Sequence, residues 1–230
     1  MVKRTMSKCV ILVSGGMDSV TLLHYAINTL KVDEVYALSF NYGQKHSREL
    51  EEASWNCEKF PEVKEHRVLD LGFMKEILKN SSSLVGDAIE VPELESIAEK
   101  DLDQPITYVP NRNMMLLSLA ASYAESCGCR QVFYGAQAQD EYGYWDCTEA
   151  FLDNINNVLS LNRRDSVTIK APFVHKSKAD VVTIGIVNGV DFSRTWTCYR
   201  GGEKPCKVCP SCVERELAFS KAGQKDPLIR

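Results

Sequence analysis

No apolar run in the 230-residue chain approaches the roughly 18 residues of a membrane-spanning helix, so no transmembrane segment is expected. Neither sign of charge dominates. Lys and Arg number 27 against 31 Asp and Glu, and the resulting net charge of −4 argues against broad nucleic-acid binding. No repeat and no low-complexity tract is present. A secretory leader is not expected either: MVKRTMSKCVILV is basic and then apolar, but its apolar run is short and leads directly into a glycine turn. These absences leave an ordinary globular chain, 44% hydrophobic and 25% charged, expected in the cytoplasm and long enough for one large domain with an appendage. In that compartment disulfides are rare, so the nine cysteines point toward metal binding rather than covalent bridging.

What is present alternates strand with helix. Lys8 to Val13 reads as a buried strand, and Met17 to Leu30 as a helix with Val20, Leu23, Ile27 and Leu30 on one face. Further strands are predicted over 34–40, 64–72, 130–136 and 167–173, and helices over 47–60, 111–127, 146–161 and 176–188. The helix over 111–127 is apolar nearly all round and is expected to be buried. The alternation predicts an α/β fold: a parallel five-stranded sheet with helices on both faces. Residues 1–190 read as one domain, and 191–230, rich in Cys, Gly, Lys and Pro, as a small segment packed on it. Residues 80–106, acidic with Ser, Gly and Pro interspersed, read as a long loop, either a mobile cover over a site or a disordered stretch.

Two motifs carry chemistry. The first is Ser14-Gly15-Gly16-Met17-Asp18-Ser19, between the first strand and the first helix. Glycines there let an anion approach the backbone, and the N–H groups of the helix start point at it. Ser14 and Ser19 add hydroxyl donors. No Lys follows the glycines, so this is not the usual P-loop; a carboxylate beside a polyphosphate makes sense with Mg²⁺ between them. The plainer alternative is a tight turn in which Asp18 stabilises the first helical turn. The second motif is the set Cys198, Cys206, Cys209 and Cys212, spaced C-x₇-C-x₂-C-x₂-C, which can close around one tetrahedral Zn²⁺ in a structural role. An iron–sulfur cluster is the rival, although ferredoxin-type runs place the fourth cysteine downstream rather than upstream. Cys9, Cys57, Cys127, Cys129 and Cys147 are expected to be small buried apolar residues, with a covalent nucleophile as the alternative for Cys147.

SGGMDS resembles the signature of the PP-loop, or N-type, ATP pyrophosphatases, a Rossmann-like superfamily that transfers AMP from ATP to a substrate oxygen. The combination with a four-cysteine tail, and with FNYGQKHSRE (40–49), YVPNRNMMLL (108–117), GAQAQDEYGYWDC (135–147), KAPFVHKSKAD (170–180) and TWTCYRG (195–201), resembles the 7-cyano-7-deazaguanine synthases, the QueC family. The resemblance implies ATP-dependent conversion of 7-carboxy-7-deazaguanine and ammonia to the nitrile through adenylated acid and amide, in a homodimer. It further implies that Ser14, Gly15, Gly16 and Ser19 hold pyrophosphate, that Asp18 serves Mg²⁺, and that Leu38, Phe40 and Gly135 border the nucleotide. Arg112 would pair with phosphate or the substrate carboxylate, and Lys178 would neutralise phosphate charge. Asp140 and Asp146 are candidates for the guanine-like edge, Tyr144 for stacking, and Gln44 and His46 for further contacts; Asp146 equally reads as the N-cap of the helix over 147–161. Glu141, Tyr142 and Trp145 depart from the family pattern, and the first two metal cysteines stand one residue closer than it has them. These departures keep open a QueC-like ligase that joins the activated acid to an amine on a protein or nucleic acid.

Overall fold

The computed structural model describes residues 6–44, 48–78, 80–86, 88–96, 105–137 and 144–229. His46, Asp140, Glu141 and Tyr142 lie outside them.

Five strands form one parallel sheet: β1 (Lys8–Leu12), β2 (Glu34–Asn41), β3 (Val63–Asp70), β4 (Gln131–Phe133) and β5 (Thr168–Lys170). Their spatial order is β3-β2-β1-β4-β5, so the chain winds outward from β1 in one direction and then restarts on its other side. The strand alternation splits β1 between two cores. Cys9, Ile11 and Val13 face one layer, which α1 (Met17–Asn28), α2 (Arg48–Glu58) and α6 (Lys178–Val187) cover with Leu22, Leu23, Ala53, Cys57 and Val181. Val10 faces the other layer, covered by α4 (Arg112–Cys127) and α5 (Glu149–Leu159) through Leu116, Leu117, Ala120, Ala124 and Phe151. The expected architecture of helices on both faces of a five-stranded parallel sheet is therefore the observed one. A short α3 (Met74–Ile77) follows β3.

Several expectations need correction. α1 ends at Asn28, where the chain turns through Lys31 at φ 57, and Leu30 is 42% exposed rather than part of the buried face. α4 is not buried all round: Met114 and Leu119 are exposed, because only one stripe of the helix reaches the sheet. Within 80–106, Ser82, Ser83, Leu84, Val85 and Val91 are buried, and Val85 forms an antiparallel bridge with Gln44, so the described part of that loop is anchored in the core. Beyond 190 the composition concealed a helix, α7 (Pro210–Lys221), started by Pro210 after Cys209. Its Arg215 is 1% exposed and saturated. The guanidinium donates to both Asp226 carboxylate oxygens at 2.7 and 2.9 Å, to the hydroxyls of Thr195 and Thr197 at 2.8 Å each, and to the Phe192 carbonyl at 2.8 Å. This fork ties α7, the chain after it and the irregular run 195–197 into one block.

Candidate active site

β1 delivers the glycine turn to the carboxyl edge of the sheet, at the point where the winding direction reverses, which is where open α/β sheets bind ligands. Gly15 has φ +86, and a Cβ on it would sit 1.8 Å from the Glu49 carbonyl oxygen of α2, so no other residue fits. The Gly15 carbonyl accepts from the Trp196 N–H at 2.9 Å, which places Gly15 behind the cavity wall while Ser14, Gly16, Asp18 and Ser19 line the cavity. α1 begins at Met17, and its N-cap Gly16 offers no side chain to the first-turn N–H groups, while the Gly16 N–H donates to Ser14 Oγ at 3.3 Å. Ser14 and Ser19 are cross-linked Oγ to Oγ at 3.0 Å, and the Ser19 hydroxyl also accepts from the Ser14 N–H at 3.0 Å, which holds the turn in shape. Gly135, after β4, packs against the start of α1: a Cβ there would meet the Asp18 carbonyl carbon and the Ser19 nitrogen at 3.3 Å.

The cavity over this turn measures about 260 Å³. Of the residues expected in a site, the structure brings Ser14, Gly16, Asp18, Ser19, Leu38, Phe40, Gln44, Arg112, Gly135, Tyr144 and Lys178 to its lining. The half-buried Arg112 starts α4, held by the Tyr42 hydroxyl at 3.5 Å and Asn113 Oδ1 at 3.4 Å. Burial opposes its charge, but Tyr42, Cys147 and Asp146 outweigh that and keep the guanidinium firmly cationic. Lys178 opens α6, its stem largely buried and its Nζ 2.6 Å from Glu214 Oε2. Gln44 closes the turn after β2, accepting from the Tyr42 N–H at 2.9 Å and donating to the Phe40 carbonyl at 3.0 Å. The Tyr144 hydroxyl pairs with Thr107 Oγ1 at 2.6 Å.

Asp146 is placed differently. It is 2% exposed, off the cavity lining, and accepts from the Asn113 N–H at 3.1 Å. It therefore caps the first turn of α4, whereas Thr148 caps α5, accepting from the Phe151 N–H at 3.1 Å. Burial pushes its carboxyl above the usual range. Trp145 also stands off the lining: its indole donates to the Tyr108 hydroxyl at 2.7 Å and its ring meets Phe151 edge-on at 5.4 Å. Sequence reasoning missed Glu49, Tyr42, Trp196, Thr197 and Tyr199, which line the cavity too. Cys147 is buried at the lining, with Asn113 Nδ2 3.2 Å from its sulfur.

One partly buried relay steadies the approach to the turn. Ser39 on β2 donates a short hydrogen bond to the Val13 carbonyl, and His66 Nε2 on β3 lies 2.7 Å from the same hydroxyl. Ser39 has one proton to give, so His66 must donate through Nε2. Burial lowers the His66 pKa below its ordinary value. The unfolded chain then binds the extra proton first, so the stability due to neutral His66 is complete above about pH 6.5 and is lost as pH falls below it. The stability advantage of the parent over His66→Gln is expected to be flat above that pH and to shrink below it. Paired denaturant titrations across pH 5 to 8 check this, and an advantage that grows on acidification contradicts it.

The four expected metal ligands also converge. The sulfurs of Cys198, Cys206, Cys209 and Cys212 lie within 4.8 Å of one another. A tetrahedral Zn²⁺ with Zn–S near 2.3 Å needs sulfurs about 3.8 Å apart, so the set fits one ion with little adjustment. The backbone N–H of Cys206 donates to Cys198 Sγ at 3.4 Å and that of Cys209 to Cys206 Sγ at 3.3 Å, donors that would stabilise metal-bound thiolates.

A parallel sheet wound in this order, with S-G-G-x-D-S at the carboxyl end of its central strand, is the Rossmann-like arrangement expected from the resemblance to the PP-loop ATP pyrophosphatases. Two solved structures share the fold: an NMN synthetase from Francisella tularensis (TM-score 0.52, 15% identity, 94% of this chain and 77% of that one) and the U34-tRNA thiolase NcsA from Methanococcus maripaludis with its 4Fe-4S cluster (TM-score 0.50, 14% identity, 94% and 66%). The model of the queuosine biosynthesis protein QueC matches residues 8–223, and the chain belongs to the QueC family. A 7-cyano-7-deazaguanine synthase from Marinomonas sp. is 45% identical over 96% of this chain and 97% of that protein. One from Caldicellulosiruptor saccharolyticus is 43% identical over 96% and 94%. Among the described residues, no helix is long and apolar enough to cross a membrane.

Proposed function

We propose that the chain is a 7-cyano-7-deazaguanine synthase. The observation that carries this reading is the convergence on one cavity of an uncapped glycine turn, a carboxylate, a fixed guanidinium and a lysine. In the first half-reaction a carboxylate oxygen of 7-carboxy-7-deazaguanine attacks the α-phosphorus of ATP. The α–β bridging bond breaks, and pyrophosphate leaves into the N–H groups of Gly16 and the α1 start, with the Ser14 and Ser19 hydroxyls alongside. Leu38 and Phe40 flank the adenine, and Gly135 allows the nucleotide close to α1. Asp18 is the residue to hold Mg²⁺, which would offset polyphosphate charge. Arg112 orients the substrate carboxylate through a bidentate pair, Tyr144 stacks on the deazaguanine and Gln44 borders it. Lys178 stabilises charge on the phosphorus being transferred. Ammonia then attacks the acyl carbon and AMP leaves with its bonding pair, giving the amide. A second ATP activates the amide oxygen in the same way, and loss of AMP and two protons gives the nitrile. The four cysteines hold Zn²⁺ in a structural role.

Trp145 contacts Tyr108 and Phe151 rather than the cavity, so that departure leaves the described pocket lining unaltered. The working unit is read as a homodimer, with the exposed Met114 and Leu119 of α4 as apolar surface for it. Incubation with ATP, Mg²⁺, isotopically labelled ammonium and 7-carboxy-7-deazaguanine is expected to give labelled nitrile by mass spectrometry. Accumulation of amide alone, or substrate mass on a protein or nucleic acid, would select the ligase reading instead.

A further inference from the structure

Lys178 is not held by its own helix alone. The α6 start is fixed by a reciprocal cap: Ser177 Oγ accepts from the Asp180 N–H at 3.2 Å, and the Asp180 carboxylate accepts from the Ser177 N–H at 2.9 Å. That sets the lysine backbone and leaves four rotatable bonds to the ammonium. The far end is held from another element, by Glu214 on α7 at 2.6 Å. Glu214 stands two residues after Cys212 and one before the saturated Arg215, so its own backbone is anchored on both sides. Its side chain is 44% exposed, whereas that of Lys178 is 10% exposed, so the carboxylate reaches in from the rim to a lysine that lines the cavity.

We infer that Glu214 is a positioning residue that aims the Lys178 ammonium at the phosphorus undergoing transfer. An ammonium has three donors, so one can stay on Glu214 while others meet phosphate oxygens. Holding the lysine beforehand removes the entropy of ordering its stem from the activation step. A carboxylate this close to the phosphates repels them in the ground state, so its benefit falls on the transition state rather than on ATP binding. The pair joins a half-exposed carboxylate to a largely buried ammonium, so a purely structural role predicts a lowered melting temperature and little change in kcat on its removal.

The inference rests on the role proposed for Lys178, and the experiment separates the two. Pyrophosphate release is measured against ATP concentration for the parent, Glu214→Gln and Lys178→Ala, with thermal melts of each. Glu214→Gln is expected to lower kcat about tenfold, to leave the KM for ATP within about twofold, and to melt with the parent. Glu214→Asp, which keeps the charge, is expected to recover part of kcat. Parental kinetics for Glu214→Gln, or a loss of kcat accompanied by a lowered melting temperature, overturns the inference. If Lys178→Ala also turns over as the parent does, it is the role of Lys178 that fails.

Discussion

Asp18→Asn is expected to release pyrophosphate about 10³-fold or more slowly than the parent chain while remaining folded. Asp18 lies in the first turn of α1, at the wall of the cavity and between the two serines that shape the glycine turn. Two roles are open to a carboxylate there. As a partner of the helix dipole it contributes about 0.3–1 kcal/mol to stability and nothing to turnover. As the ligand of a divalent cation on ATP, it governs several kcal/mol of charge stabilisation in the transition state, and each ~1.4 kcal/mol is tenfold in rate. Asparagine keeps the shape and removes the charge, so the second role predicts a collapse of rate with a melting temperature near that of the parent. The measurement is pyrophosphate release under saturating ATP and Mg²⁺, with calorimetric titration of Mg²⁺–nucleotide. Parental turnover with a small loss of stability would leave Asp18 as a helix-stabilising residue and remove the basis for the nucleotide site.

Much of this arrangement is legible locally and some of it is not. β1, β2 and α1 follow from period and composition because their side chains face one kind of surroundings along their length: Val10 and Ile11 are fully buried whichever layer they meet. The glycine turn and the four cysteines are legible because each is a single contiguous solution to one coordination problem. α4 misleads, since Met114 and Leu119 look like core residues and yet face outward, and periodicity cannot tell which stripe the sheet will cover. α7 is hidden because Gly, Pro and Cys before it resemble loop composition, although Cys209-Pro210 is a sound helix start. Asp146 reads equally well as the cap of the helix after it; that it caps the helix before it is a contact over 33 residues that no local pattern encodes. Trp196, Thr197 and Tyr199 escaped for the same reason. In sequence they are neighbours of Cys198, and the fold makes them cavity wall.

That last placement gives the cysteine site a consequence larger than tail anchoring. Thr197 and Tyr199 flank Cys198, Ser211 precedes Cys212, and all three non-cysteine residues line the cavity. Trp196 donates from its backbone to the Gly15 carbonyl at 2.9 Å and from its indole to the Cys198 carbonyl at 3.1 Å. Arg48 of α2 stacks 4.4 Å above the same indole. The wall has no regular secondary structure between the short helical turn at Phe192–Arg194 and α7, so a metal on the four sulfurs would add to these contacts and to the Arg215 fork in holding it. Without the ion, four sulfurs this close lose their common partner, and a free energy of roughly 10–16 kcal/mol in small zinc domains is withdrawn from folding. Even a quarter of that, at about 2–4 °C per kcal/mol for a chain of this size, lowers the melting temperature by roughly 5–16 °C. Cys209→Ser, or the parent stripped by a strong chelator, is therefore expected to melt at least about 5 °C lower and to lose nucleotide affinity as Trp196 releases Gly15. Readdition of Zn²⁺ is expected to restore both in the stripped parent and neither in the variant. Visible absorption of the purified protein decides between the ions, because a zinc thiolate site is colourless and an iron–sulfur cluster is not. Melting and nucleotide binding that ignore the metal altogether would mean that the wall stands on its protein contacts, the Arg215 fork among them, without the ion.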